Sequence, residues 1–88
     1  MKLTFDIEGW EGYLDWQREG GAGLKKLNAL IAECLRGPFR GTGRPEPLKG
    51  NLKGWWSRRI DYEHRLVYRV RGQGDGQALE ILQCRYHY

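Results

Sequence analysis

The sequence has no apolar run longer than Ala29-Leu30-Ile31-Ala32. A bilayer-spanning helix needs about 20 apolar residues, so no membrane partner is expected. Asp6 and Glu8 stand where the apolar stretch of an export signal would be, so none is expected. There are only two cysteines, Cys34 and Cys84. Two thiols make no disulfide framework, and the reducing cytoplasm is the expected location. Those cysteines and the two histidines, His64 and His87, form no C-x-x-C or H-x-x-x-H pair. Structural zinc ligands come in closely spaced pairs, so no metal is expected. Nucleotide-phosphate loops are also missing. Gly41-Thr42-Gly43 lacks the Lys-Ser/Thr that completes one, and no G-x-G-x-x-G follows a strand pattern. Ser57 has no companion His–Asp signature. No cofactor is expected, and there are no repeats or low-complexity tracts.

What is present fits a single domain over residues 1–88. Forty per cent of the residues are hydrophobic and 30% charged, a globular rather than a disordered balance. The net charge of +4 is unevenly placed. Residues 1–35 carry −2 and residues 72–88 carry −1, whereas residues 36–71 carry +7, and eight of the ten cations in that block are arginines. Arginine suits planar, bidentate phosphate recognition. The block is therefore either a nucleic-acid footprint or a solvated basic face.

Periodicity gives the order βααβββ. Lys2–Ile7 alternates as a strand, with Leu3, Phe5 and Ile7 on one side. Trp10, Tyr13, Leu14 and Gln17 define one face of a helix. Gly20, Gly21 and Gly23 form a loose connection to a second helix with Leu24, Leu27, Ile31, Cys34 and Leu35 on its stripe. Gly37 is the expected left-handed cap, and Pro38 stops the helix. Phe39–Lys53 has no period and reads as a functional loop. Three strands follow from Trp55, with turns at Asp61–His64 and Gly72–Gly76. The expected fold is α+β, a helical hairpin packed on one face of an antiparallel sheet. If Leu66, Tyr68, Val70, Leu82, Cys84 and Tyr86 face the helices, then Arg65, Arg69, Arg85 and His87 face the other way. Trp55 and Trp56 read as packing residues before base-stacking ones.

With metal and nucleotide motifs absent, the remaining residues suit a metal-free ribonuclease. RNA is cut when its own 2′-hydroxyl attacks the adjacent phosphorus. That needs a base, an acid for the leaving 5′-oxygen, and cations for the crowded phosphorane. Glu46 is a carboxylate between Pro45 and Pro47, Lys49 follows it, Arg59 and Arg65 come from strands, and His87 lies near the end. Taken alone, Glu46 reads equally as a loop salt bridge and His87 as a terminal residue without a role.

Several strings together resemble the YoeB/Txe toxins of the RelE superfamily. These are Tyr13-Leu14 with Trp16-Gln17, Pro45-Glu46-Pro47-Leu48-Lys49, Trp56-Ser57-Arg58-Arg59-Ile60, Glu63-His64-Arg65-Leu66-Val67-Tyr68 and Cys84-Arg85-Tyr86-His87-Tyr88. The resemblance runs end to end. It implies a RelE-like fold and an mRNA interferase that cuts translated mRNA in the A site of the 70S ribosome. It implies metal-free chemistry, a YefM-like antitoxin, and a homodimer at high concentration. By position, Glu46 would be the general base, His87 the general acid, Arg65 the cation at the transition-state phosphate, and Tyr88 an aromatic shaping the site. Lys49, Lys53, Arg58, Arg59 and Arg85 would bind RNA phosphates. Two other readings remain: a non-catalytic toxin that inhibits a protein such as gyrase, which keeps the fold but not this residue set, and a basic RNA-binding module, which explains the +7 block but not the Cys84–Tyr88 string.

Overall fold

The computed structural model describes residues 1–86. Strand β1 (Lys2–Phe5) leads into helix α1 (Ile7–Glu19), and helix α2 (Gly21–Arg36) follows directly. Then come β2 (Glu46–Pro47), β3 (Trp56–Arg59), β4 (Arg65–Arg71) and β5 (Ala78–Gln83). The strands form one sheet in the order β1-β5-β4-β3-β2. The α+β architecture with a helical pair against a sheet is as expected. The sheet is mixed rather than purely antiparallel, because β1 runs parallel to β5 while every other pair is antiparallel. A parallel pair needs a long crossover, and here everything from α1 to β4 supplies it. The expected loop also contains an element: Glu46–Pro47 is a two-residue strand on β3. No helix among the described residues is long and apolar enough to cross a membrane.

Helix α1 buries a different face from the one its apolar residues suggested. Gly9, Gly12 and Trp16 point inward, and Trp10 is 45% exposed. The reason is proximity to β5. A methyl group on Gly9 would sit 2.6 Å from the Ile81 carbonyl oxygen, so only glycine lets the helix backbone lie on the strand. Trp16 then inserts into the core and donates its indole N–H to the Cys84 carbonyl at 2.7 Å.

The connection between the helices is tighter than expected. Gly20 and Gly21 together make the turn, at φ 64° and 78°, where an L side chain would be strained. Gly21 already belongs to α2. Gly23 lies inside α2 because the Trp16 ring occupies the space of its missing side chain. At the other end Gly37 is extended, φ −160°, rather than left-handed, and its N–H donates to the Glu33 carbonyl at 2.9 Å.

The core lies between the helices and one face of the sheet. Leu27, Leu30, Ile31 and Cys34 of α2 meet Leu66, Tyr68, Leu79 and Ile81 of the strands. The last strand faces differently from the expected Leu82/Cys84/Tyr86 pattern. Val67 pairs with Gln83 while Tyr68 pairs with Ile81, which leaves Leu82 as the extra residue of a bulge. Such a bulge changes the phase of the strand. Leu79 and Ile81 point inward before it and Cys84 after it, whereas Tyr86 is 60% exposed.

Candidate functional site

Register fixes which side chains share the face turned away from the helices. Directly opposed residues lie on the same side of a sheet. Glu46 pairs with Ser57, Ser57 with Val67, and Val67 with Gln83, so one row crosses four strands. The next row holds Arg59 opposite Arg65. Alternation puts both rows on the same face. Glu46 and Arg59 are exposed and Arg65 is partly buried. The candidate base and two candidate phosphate cations, far apart in sequence, thus lie on one face of the sheet.

Two arginines directly opposite one another repel. Among the described residues no carboxylate lies within ion-pair distance of either; the Arg65 guanidinium has only the Asp61 and His64 carbonyls, at 3.4 Å each. An arrangement of this kind gains most when an anion arrives between the cations. Further along the same face Glu80 partly offsets the positive charge. Arg69 donates to Glu80 at 2.6 Å and stacks 4.2 Å from the Trp55 ring centre. Arg71 lies 3.6 Å from the same carboxylate.

Glu46 is held by backbone. The Arg59 N–H donates to the Gly43 carbonyl at 2.7 Å, and the Leu48 N–H to the Trp55 carbonyl at 2.9 Å. The excursion between them carries Lys49 and Lys53, both exposed, around a 3-10 turn at Gly50–Leu52.

Arg58 does not join this face. It pairs with Leu66 on the helix side and is fully buried. Its Nε donates to the Tyr68 hydroxyl at 3.1 Å. One terminal nitrogen donates to Glu33 at 2.7 Å and to the Thr42 carbonyl at 3.2 Å. The other donates to the carbonyls of Gly37 and Arg40 at 2.8 and 2.9 Å. With its donors committed and no water contact, it cannot bind RNA; it ties residues 37–42 to the core. The Thr42 hydroxyl and amide, followed by Arg58, hold the Glu33 carboxyl down at about 2. Burial pushes the Tyr68 phenol up to about 12, and its hydroxyl donates to the Pro38 carbonyl at 2.5 Å.

Arg85 is also displaced from the expected set. Beyond the bulge it turns toward α1, lies 4.5 Å over the Trp16 ring and forms an ion pair with Glu19. That hydrogen bond from Arg85 lowers the Glu19 carboxyl. A cation stacked and neutralised in this way is a packing residue, not a free phosphate ligand. His87 and Tyr88 lie outside the described residues. The described chain ends at Tyr86, whose carbonyl accepts from the Arg65 N–H at 3.2 Å.

One residue at this end had no assigned role. His64 is 7% exposed, and its Nδ1 accepts the Tyr86 N–H at 2.7 Å. Its partner is 22 residues away, so no local pattern could reveal the contact.

Chemically, the face offers an exposed carboxylate that can take a proton and two guanidiniums, without a carboxylate partner among the described residues, that can hold a phosphodiester. The clefts beside Thr42 and Asp15 include none of these three side chains. Among the described residues no three His, Cys, Asp or Glu side chains gather as metal ligands.

Residues 5–88 match the family model of the YoeB-like toxin of bacterial type II toxin–antitoxin systems. The chain is 52% identical over 88 residues to Toxin YoeB of Streptomyces coelicolor, covering 100% of both. The solved YoeB/ParE toxin from Agrobacterium tumefaciens is similar with a TM-score of 0.94 and 52% identity, covering 100% of each chain. YoeB from Staphylococcus aureus, solved as a dimer, matches at TM-score 0.84 and 39% identity. Solved in a heterotetrameric YoeB–YefM complex, it matches at TM-score 0.84 and 40% identity. Each of those two matches covers 100% of this chain and 98% of the other.

Proposed function

The chain belongs to the YoeB-like toxins of bacterial type II toxin–antitoxin systems, and on that premise we propose that it is a ribosome-dependent endoribonuclease acting in the cytoplasm on mRNA in the A site of the 70S ribosome. The observation that carries this reading is Glu46, Arg59 and Arg65 on one face of the sheet.

Glu46 takes the proton of a 2′-hydroxyl, whose oxygen attacks the adjacent phosphorus. Arg65 and Arg59 hold the charge that gathers on the phosphorane oxygens. His87 gives a proton to the departing 5′-oxygen, and Tyr88 shapes the site around it. The O5′–P bond breaks as the O2′–P bond forms. The products are a 2′,3′-cyclic phosphate and a free 5′-hydroxyl, with no metal and no water consumed. Lys49 and Lys53, exposed beside Glu46, take phosphates along the strand.

The exposure of Glu46 and Arg59 supports dependence on the ribosome. Exposed side chains orient a flexible single strand poorly, and orientation is a large part of such a rate enhancement. A message already held in the decoding site arrives oriented. The S. aureus relative assembles with YefM; a YefM-like antitoxin would neutralise this chain, and a second copy would pair with it at high concentration.

The test is cleavage of mRNA by purified, untagged protein, with and without programmed ribosomes, in excess chelator, for the wild type and His87→Gln. Cleavage that needs the ribosome, survives the chelator and falls in the variant is expected. Folded wild type that leaves the message intact would overturn the reading in favour of a protein-binding toxin.

A further inference from the structure

The geometry at the last described residue points to a function for His64. Tyr86 has φ 64°, a left-handed conformation that an aromatic residue adopts only when its surroundings impose it. Two consecutive residues impose it here. The His64 imidazole accepts the Tyr86 N–H at 2.7 Å, and the Arg65 N–H donates to the Tyr86 carbonyl at 3.2 Å. Both backbone polar groups of Tyr86 are therefore held, by His64 and by Arg65 at the start of β4.

His64 is itself firmly placed. Its N–H donates to the Asp61 carboxylate at 2.8 Å, and its carbonyl accepts the Ile60 N–H at 3.0 Å. Its ring stands edge-on to Trp16, 4.9 Å between centres, and 5.2 Å from the Tyr86 ring. Packing alone would be served by an apolar ring. What an imidazole adds is an acceptor inside an apolar wall, and that acceptor meets the amide of residue 86. Since Nδ1 accepts, the ring proton is on Nε2, 3.8 Å from the Glu63 carboxylate.

We propose that His64 is a positioning residue: with Arg65 it clamps the bend at Tyr86 and so fixes the backbone direction from which the chain continues to His87. The assignment rests on the ribonuclease reading above, in which residue 87 delivers the leaving-group proton. Arg65 then does two things: its guanidinium serves the phosphate and its backbone helps hold the acid's approach.

Three substitutions separate this role from packing. In His64→Asn the side-chain oxygen can stand where Nδ1 stood. In His64→Gln the amide overlies Nε2 and leaves the Tyr86 N–H without an acceptor, although glutamine is nearer histidine in size. His64→Phe keeps the ring and removes the acceptor. Single-turnover cleavage on programmed ribosomes is measured for variants whose circular dichroism shows them folded, and Tyr86 amide exchange is followed by NMR in the free proteins. His64→Gln and His64→Phe should cleave on the order of 100-fold more slowly, the scale for a misplaced catalytic group. Half-saturating ribosome concentration should not change, and Tyr86 exchange should quicken. His64→Asn should recover much of both. A glutamine variant as good as the asparagine one, or a loss confined to ribosome affinity, would overturn the proposal. Wild type that does not cleave would sink the ribonuclease reading instead. The clamp would then stand or fall on amide exchange alone, with equal Tyr86 rates in all variants refuting it.

Discussion

Replacing Arg58 tests whether the knot beneath the loop is structural. Arg58→Met keeps the length and apolar stem of the side chain and removes the hydrogen bonds to Tyr68, Glu33, Thr42, Gly37 and Arg40. Hydrogen bonds to charged groups are worth about 1.5–3 kcal/mol each. A plain sum would rival the roughly 4–13 kcal/mol that holds a domain of this size together. The loss must be smaller, because several partners can turn to water. The Gly37, Arg40 and Thr42 carbonyls sit in a surface loop, Glu33 keeps its bonds from Thr42, and the Tyr68 hydroxyl still has Pro38. Glu33 is part-exposed, so no buried charge is orphaned; breaking a network centred on one fully buried side chain falls among the larger single-residue losses, about 3–5 kcal/mol, and we take that range. For a domain of this length it lowers Tm by roughly 15–30 °C. Thermal melts and urea titrations of wild type, Arg58→Met and Arg58→Lys provide the assay. Lysine should rescue little, since one ammonium cannot span acceptors on both sides of a planar fork. An Arg58→Met protein melting within about 4 °C of wild type would refute the reasoning, the scale of less than 1 kcal/mol. Arg58 would then have to be sought among the RNA contacts after all.

Three further outcomes follow from the same geometry. The Glu33 carboxyl titrates at about 2 in the fold against an ordinary 4.5, so its stabilisation is complete above pH 4.5 and is lost as pH falls toward 2; Glu33→Gln should flatten that acid limb in pH-resolved melts, and an unchanged limb would count against the Thr42–Arg58 cradle. Gly9→Ala should cost about 1–3 kcal/mol through overpacking, because its methyl group would meet the Ile81 carbonyl at 2.6 Å; an unaltered urea midpoint would show that α1 can lift off β5 freely. RNA binding should weaken steeply with salt, and Arg59→Gln should reduce the logarithmic salt slope by about 1, whereas the same change at Arg69, already paired with Glu80, should leave the slope as it is.

Much of the fold could be read from side-chain period, and the failures share a cause. The stripe of α2 was legible because Leu27, Ile31 and Cys34 are apolar and regularly spaced. The face of α1 was not, because its contact with the sheet runs through Gly9 and Gly12, which carry no side chain for a pattern to register. The last strand was misphased because Leu82 occupies a bulge, and a bulge depends on the partner strand. Period two did turn Arg65 away from the helices, but the pairing of β3 with β4 was needed to set Arg59 beside it. Only the pairing of Glu46 with Ser57 brings the carboxylate there. Arg58 and Arg85 were grouped with the RNA-binding cations because charge says nothing of burial. Arg58 sits one residue from Arg59 and so faces the core, where Glu33, from α2, meets it.

The position of β5 in the sheet has a consequence for biosynthesis. It is the last strand in sequence but lies between β1 and β4 in space, and Trp16 anchors to the carbonyl just beyond it. A nascent chain that has emerged only as far as residue 77 can form the β3–β4 hairpin and two helices, yet β1 has no neighbour and Gly9 and Gly12 have no strand to rest on. Ordering must wait for the most distant contacts in the chain, which delays folding. The sheet that carries Glu46 and Arg65 is therefore complete only once β5 has been made and has joined β1 to β4.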